Sequence, residues 1–381
     1  MTSSQPVKTL IVDLSQQYGG STSRVLALMK HLPAGTVALA SLEASAVAQH
    51  ARQLNLPVHI VGKSKINPAL LAKLIRLIRA ENFQVLDSQN IQSKFWASLA
   101  ARFTRTTLIS TIHSWYENEH GRKSLKGKIY TQIELSTNYD PGYYITVSEK
   151  DRQSLLKTGF PEERIELIYN AVTIDPEILN QDPAVIRRSW ELPQNAPVCL
   201  AVGRLVPVKG YDVLIEAVKL ALTQIPDLHC MIIGEGESRE SLTKQIKAYG
   251  LESRVRLVGY YSRHDTLMSL RACDVFAMPS RYEGTPIALL EAAALGCPIV
   301  AARSGGIPEL VTHEEQALLV PPEDPDALAE ALIRLSQNRK FASELGMNAK
   351  NHIEAHFNLD KQVRLTQQTY QKAWQHYTSM A

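Results

Sequence analysis

Two cations stand near the middle of the chain, Arg204 and Lys209, each beside a glycine. Gly203-Arg204-Leu205 follows the apolar run Val198 to Val202, and Lys209 leads into Gly210. An arginine offers a flat fork of donors and a lysine a compact charge. Together they suit a diphosphate, whose charge grows as it departs. The same spacing would serve two solvated surface cations equally well. A second group follows the apolar run Val275 to Met278: Glu283-Gly284-Thr285-Pro286. Pro286 predicts a helix starting there, with the Gly284 and Thr285 amides offered to an anion at its N-terminus. Glu291 lies further along the same helix, among Ala288, Leu289, Leu290, Ala292, Ala293 and Ala294. A carboxylate there must be paired or face a cleft. Hydroxyl groups of a ligand and a structural ion pair both meet that need.

Weaker signals surround these. Gly19-Gly20 precedes a helical pattern and reads either as a ligand-facing loop or as a flexible turn. His113 follows the run Leu108 to Ile112 and is either a cleft residue or a packed histidine. Gly234-Glu235-Gly236 is a turn at the end of the run His229 to Ile233, placed to flank a base or phosphate. Asp324-Pro325-Asp326 has the look of a metal-binding pair of aspartates. It directly precedes a helical pattern, so Asp324 reads as an N-cap with Pro325 as first helical residue. The histidines are scattered apart from His352 and His356, which stand four residues apart, and no metal site is expected.

The elements that must carry these residues alternate. Apolar runs near 10–12, 37–42, 58–61, 85–86, 108–112 and 144–147 are separated by helical patterns, several of them clear. A second series runs from Val198 to Val320, with helical patterns near 211–222, 239–249, 264–272, 286–295 and 325–336. The alternation predicts two doubly wound parallel sheets in an α/β chain. The first domain is expected over 1–172 and the second over 173–355, with a final helix from 356 returning to the first. Open α/β sheets bind ligands beyond the carboxyl ends of their strands, where all the residues above fall.

Composition bounds the class. The 381 residues are 45% hydrophobic and 21% charged, ordinary for a globular protein. The net charge of +3 hides an asymmetry: residues 1–172 carry 20 Lys/Arg against 13 Asp/Glu, and the remainder 21 against 25. The basic half fits an anionic ligand, an acidic lipid surface or nucleic acid. No helix-turn-helix or RNA-binding pattern appears, so nucleic acid is not expected. The helix pattern Pro68 to Ala80 interleaves Leu70, Leu71, Leu74, Ile75, Leu77 and Ile78 with Lys73, Arg76 and Arg79. It reads as a core-facing helix with a basic edge or as a peripheral attachment to anionic membrane. Cys199, Cys230, Cys273 and Cys297 form no CxxC, and Cys199 and Cys230 are expected to be buried free thiols. Neither a signal peptide nor a transmembrane run is expected. The expected location is cytoplasmic, including the inner membrane face.

In order, Gly203-Arg204-Leu205 with Lys209-Gly210, Ile233 to Gly236, and the run Asp274 through Ser280, Glu283, Glu291 and Gly296-Cys297-Pro298 to Gly305–Glu309 resemble the retaining glycosyltransferases of family 4. Gly19-Gly20, His113 and Ile168 to Val172 extend the resemblance into the first half. The resemblance implies the GT-B fold and a UDP- or GDP-sugar donor, with no metal. It places Arg204 and Lys209 on the diphosphate, Glu291 on the ribose and Glu283 by the transferred sugar. It further implies that Gly284 and Thr285 lie beside the phosphate, Tyr261 near the base, Gly20 in a loop closing on the phosphate and His113 near the sugar. The acceptor, a small molecule, glycan or lipid-linked hydroxyl compound, belongs to the first half. Two other readings share the fold, a non-hydrolysing nucleotide-sugar epimerase and a non-catalytic partner subunit. The two glutamates beside the paired cations favour transfer.

Overall fold

In the computed structural model, residues 6–116, 125–136, 142–193 and 195–380 are described. The chain forms two compact units, residues 1–170 with 359–381 and residues 171–358.

The first unit is built on strands β1 (Thr9–Asp13), β2 (Val37–Leu42), β3 (Val58–Gly62), β4 (Val85–Ser88), β5 (Thr107–Ile112), β6 (Tyr143–Thr146) and β7 (Ile165–Leu167). They form one parallel sheet in the order β3-β2-β1-β4-β5-β6-β7. The second unit uses β8 (Val198–Val202), β9 (His229–Ile233), β10 (Val255–Gly259), β11 (Val275–Met278), β12 (Ile299–Ala302) and β13 (Leu318–Val320). Its order is β10-β9-β8-β11-β12-β13, again parallel. Each sheet therefore reverses its winding once, at β1/β4 and at β8/β11. Such a reversal leaves a crevice beyond the strand ends, because the flanking helices depart to opposite sides.

The strands are near-continuous apolar runs because helices cover both faces. Cys199 and Cys230 are paired across β8 and β9 and are buried free thiols. The helix Tyr211–Ala221 buries Leu214, Ile215 and Val218 against that sheet, at 3.6-residue spacing. Each such side chain contributes about 1.5–3 kcal/mol of transfer free energy. The last helix, Leu359–Met380, packs Tyr370 and Ala373 into the core of the first unit.

The structure decides two open readings. The helix Ala69–Glu81 turns Leu70, Leu74 and Ile78 into the core, with Leu71, Ile75 and Leu77 packed at its edge. Its apolar face is thus not available to a membrane. The Asp324 carboxylate accepts the Ala327 amide at 2.9 Å, and Pro325 opens the helix Pro325–Gln337. One boundary moves: the helix expected from Pro286 runs over Ile287–Ala294, and Pro286 is its extended N-cap with ψ 117°. A missing amide hydrogen is harmless at either position. Among the described residues, no helix is long and apolar enough to cross a membrane.

Candidate functional site

The β8/β11 reversal gathers most of the singled-out residues of the second unit. After β8 the chain passes through Gly203 and Arg204, then a short 3-10 turn, Pro207–Lys209, and Gly210. Gly210 has φ +67°, and a side chain there would collide with the Pro279 carbonyl. A Cβ on Gly234 would strike the Gly203 carbonyl oxygen. The glycines thus allow the loops after β8, β9 and β11 to touch through their backbones, which only a hydrogen side chain permits.

This approach brings Lys209 to Glu283. The Lys209 Nζ lies 2.5 Å from Glu283 Oε1, with the two side chains 18% and 10% exposed. Ser280 Oγ donates to the same oxygen at 2.6 Å, and Ser304 Oγ donates to the Ser280 carbonyl at 2.6 Å. The Gly306 amide donates to the Glu283 carbonyl at 2.9 Å. The carboxylate is therefore fixed from side chain and backbone together. The cation and carboxylate given separate tasks by sequence are each other's partner here. Arg204 is exposed at the same strand end. Gly284 and Thr285 are buried immediately before the helix Ile287–Ala294.

Glu291 sits on that helix, 7% exposed, and Arg263 Nε donates to its Oε1 at 3.1 Å. Burial pushes the Glu291 pKa up, and the Arg263 guanidinium opposes the shift. Arg263 also donates to the Thr173 carbonyl at 3.3 Å. The Tyr261 hydroxyl accepts the buried Trp190 indole N–H at 3.3 Å. Ser280 stands in the quoted motif but was given no role, and Arg263 was missed by sequence reasoning. Ser280 carries a signal, a hydroxyl just past a strand end. Arg263 carries none, since nothing in the sequence pairs it with a residue 28 positions away.

His113, Gly19 and Gly20 belong to the first unit. His113 Nε2 lies 3.0 Å from Gln89 Oε1. Burial, aided by the Arg24 charge, lowers the His113 pKa to about 3, so the imidazole is neutral at ordinary pH. Gly19 caps the helix Gly20–His31, with its amide donating to Thr22 Oγ1 at 3.3 Å. Gln89 and Asn90 follow β4, across the reversal from the Gly19 loop. Asn90 caps the helix Ile91–Thr104 through Ser93 and donates to Asp13 at 2.9 Å.

Residues 183–352 match the family model for glycosyl transferases group 1, and residues 18–176 match that for glycosyltransferase family 4. The chain is 28% identical over 301 residues to the Escherichia coli UDP-Gal:alpha-D-GlcNAc-diphosphoundecaprenol alpha-1,3-galactosyltransferase, spanning 77% of this chain and 76% of that one. It is 34% identical over 182 residues to a GDP-mannose-dependent phosphatidylinositol monomannoside mannosyltransferase of Corynebacterium glutamicum, 46% of this chain and 47% of that protein. The fold superposes on Anabaena HepE, a crystal structure with UDP-glucose, with a TM-score of 0.86 at 22% identity over 96% of this chain and 99% of that one. With two Rossmann-like sheets and both family models matched in order, the chain belongs to the family 4, group 1 glycosyltransferases of the GT-B fold and is an enzyme of nucleotide-sugar transfer.

Proposed function

We propose that the enzyme transfers a hexose-type sugar from a UDP- or GDP-sugar to a hydroxyl acceptor, with retention at the anomeric carbon and without a metal. The acceptor is a precursor of a cell-surface polysaccharide, glycolipid or related glycoconjugate. The observation that carries this reading is the Lys209–Glu283 pair at the β8/β11 reversal, beside Arg204 and the backbone of Gly203 and Gly234.

Breaking the anomeric C–O bond builds negative charge on the diphosphate and positive charge on the sugar ring. In this reading the diphosphate draws Lys209 from Glu283 and takes Arg204 as second cation. The released Glu283 oxygen then accepts from sugar hydroxyls, while Ser280 keeps the carboxylate in place. Glu283 positions the sugar and does not attack it. The departing phosphate oxygen accepts the acceptor's proton as the acceptor oxygen attacks from the same face. Two cations supply the charge stabilisation that a metal would otherwise give, and Asp324 is committed to its helix cap. Glu291 takes the ribose hydroxyls, Gly284 and Thr285 the phosphate, and the Tyr261 segment the base. Gly20 belongs to a loop that closes on the phosphate, His113 serves the transferred sugar, and the first unit holds the acceptor. As a neutral imidazole, His113 serves as a hydrogen-bonding group.

The test is a panel of nucleotide sugars without acceptor, read by thermal shift and nucleotide release. A ligand at a hundred times its Kd adds about 2.7 kcal/mol of stability, so a true donor raises Tm visibly. Stabilisation by one UDP- or GDP-sugar with slow hydrolysis supports transfer. An epimerised sugar in place of hydrolysis would move the assignment to the epimerases. No shift with any donor or free nucleotide would refute it.

A further inference from the structure

The apolar residues of the helix Ala69–Glu81 are spent on the core, yet its neighbour leaves large apolar groups in solvent. On the helix Ile91–Thr104, Phe95 is 41% exposed and Phe103 61%. Phe95, Trp96, Leu99, Arg102 and Phe103 recur at three- and four-residue steps, and none of them is buried. They form one outward stripe along the helix. Beside it Ile66 is 81% exposed, and its loop is tied to the stripe by Trp96 Nε1 donating to the Lys65 carbonyl at 2.7 Å. Phe95 packs edge-on against Trp96, with ring centroids 5.0 Å apart. At the other end Arg79 donates to the Phe103 carbonyl at 3.0 Å, joining the two helices.

Cations outnumber acids around this stripe. Residues 63–105 hold eight Lys/Arg and two acids, Glu81 and Asp87. Asp87 is buried, and Glu81 is held by Lys8 at 3.0 Å. Lys94 is buried too and Lys63 pairs with Glu43 at 3.5 Å, so the excess of exposed cations lies with Lys65, Lys73, Arg76, Arg79, Arg102 and Arg105. A second copy docking by the same face would set cations against cations. Exposed aromatics amid an excess of cations match a surface that is apolar beneath and anionic above.

We infer that the outer face of the helix Ile91–Thr104, with the loop around Ile66 and the basic edge of Ala69–Glu81, docks on a lipid bilayer bearing anionic headgroups. Phe95, Phe103 and Ile66 enter the headgroup boundary, and the cations hold the lipid phosphates. This inference stands on the first unit alone and does not depend on the donor reading.

The experiment is co-sedimentation of the full chain with phosphatidylcholine vesicles, with and without phosphatidylglycerol. Wild type should partition onto the anionic vesicles at least about tenfold better than onto neutral ones, and salt should weaken the binding. Replacing Lys65, Lys73 and Arg76 together by Gln should lower the partition about a hundredfold, at about 1 kcal/mol per cation. Phe95→Ser with Phe103→Ser should lower it by about tenfold or more with only a small drop in Tm, because a large part of each side chain is in solvent in the free protein. Absence of wild-type binding, equal binding to neutral vesicles, or unchanged binding by the three-Gln variant would each overturn the inference. Capture of a single-stranded oligonucleotide by the same residues, with vesicles ignored, would overturn it in favour of a nucleic-acid surface.

Discussion

The two units share a topology and use their charged residues in opposite ways. In the second unit, Lys209 pairs with Glu283 beyond the strand ends and Arg263 with Glu291 between neighbouring helices, each pair partly open to a competing ligand. In the first, charges are sealed inside. Lys94 and Glu134 are 1% and 0% exposed and form an ion pair, with Tyr144 Oη accepting from Lys94 Nζ at 2.5 Å. Ser110 and Tyr116 donate to the same carboxylate at 3.2 and 3.1 Å. Arg24, also buried, donates to the Ile168 carbonyl and to Asn170 Oδ1 at 3.2 and 3.0 Å. Asp87 receives hydrogen bonds from Tyr370 at 2.6 Å and Thr111 at 2.7 Å. Charge in one unit is poised for exchange, and in the other it fixes where helices sit.

The contrast can be broken most forcefully at Lys94. Lys94→Met strands the Glu134 carboxylate without its counter-charge and should destabilise the protein by about 3–5 kcal/mol in urea unfolding. Adding Glu134→Leu should recover much of the loss. If the double variant is no better than the single, the pair is not what holds the helix Leu125–Ser136. Next comes Arg204→Ala, expected to reduce transfer by about 2–4 kcal/mol of barrier with Tm little changed. A loss below tenfold would show that charge at this strand end is not used in chemistry.

A third prediction concerns pH. Burial raises the Asp87 pKa to about 6 against an ordinary 3.8, despite the hydrogen bonds and the Arg24 charge that favour ionisation. Because the folded pKa is the higher one, the folded state holds this proton more tightly. Stability from this group is greatest below the unfolded pKa and declines as pH rises through about 6. The slope should amount to about 2–3 kcal/mol between about pH 4 and 7, and Asp87→Asn should remove it. The smallest effect belongs to Arg263. Its partner Glu291 is buried, but Arg263 itself is 46% exposed, so the pair is partly screened. Arg263→Ala should raise the KM for the donor roughly fivefold while leaving kcat alone. A change in kcat instead would place Arg263 nearer the reacting atoms.

What could be read from sequence follows the same division. Gly203, Lys209, Gly234, Glu283 and Glu291 were legible because a strand end, a close backbone approach and a charge in an apolar run each leave a local mark. The Lys94–Glu134 pair was not, since its partners are 40 residues apart and each looks like an ordinary surface residue on its helix. The Asp87–Tyr370 bond spans 283 residues and is likewise invisible locally. β7 was missed because three residues give no period, and the helix Arg339–His356 because its core face, Ala342, Leu345, Gly346, Ala349 and Ile353, is made largely of small residues. The helix Ala69–Glu81 misled in another way. Its pattern was right, but amphipathicity does not say which partner the apolar side meets.

The return of the helix Leu359–Met380 to the first unit bears on biosynthesis. Tyr370 and Ala373 belong to the core of a unit whose other residues end at Asn170. On the ribosome, the first unit must therefore wait while the entire second unit is translated, a pause of roughly ten to forty seconds at ordinary elongation speeds. Throughout that interval the seat of Tyr370, with Asp87 at its floor, is uncovered. The second unit has all its own strands and helices before the last helix emerges, so it can complete first although it begins later.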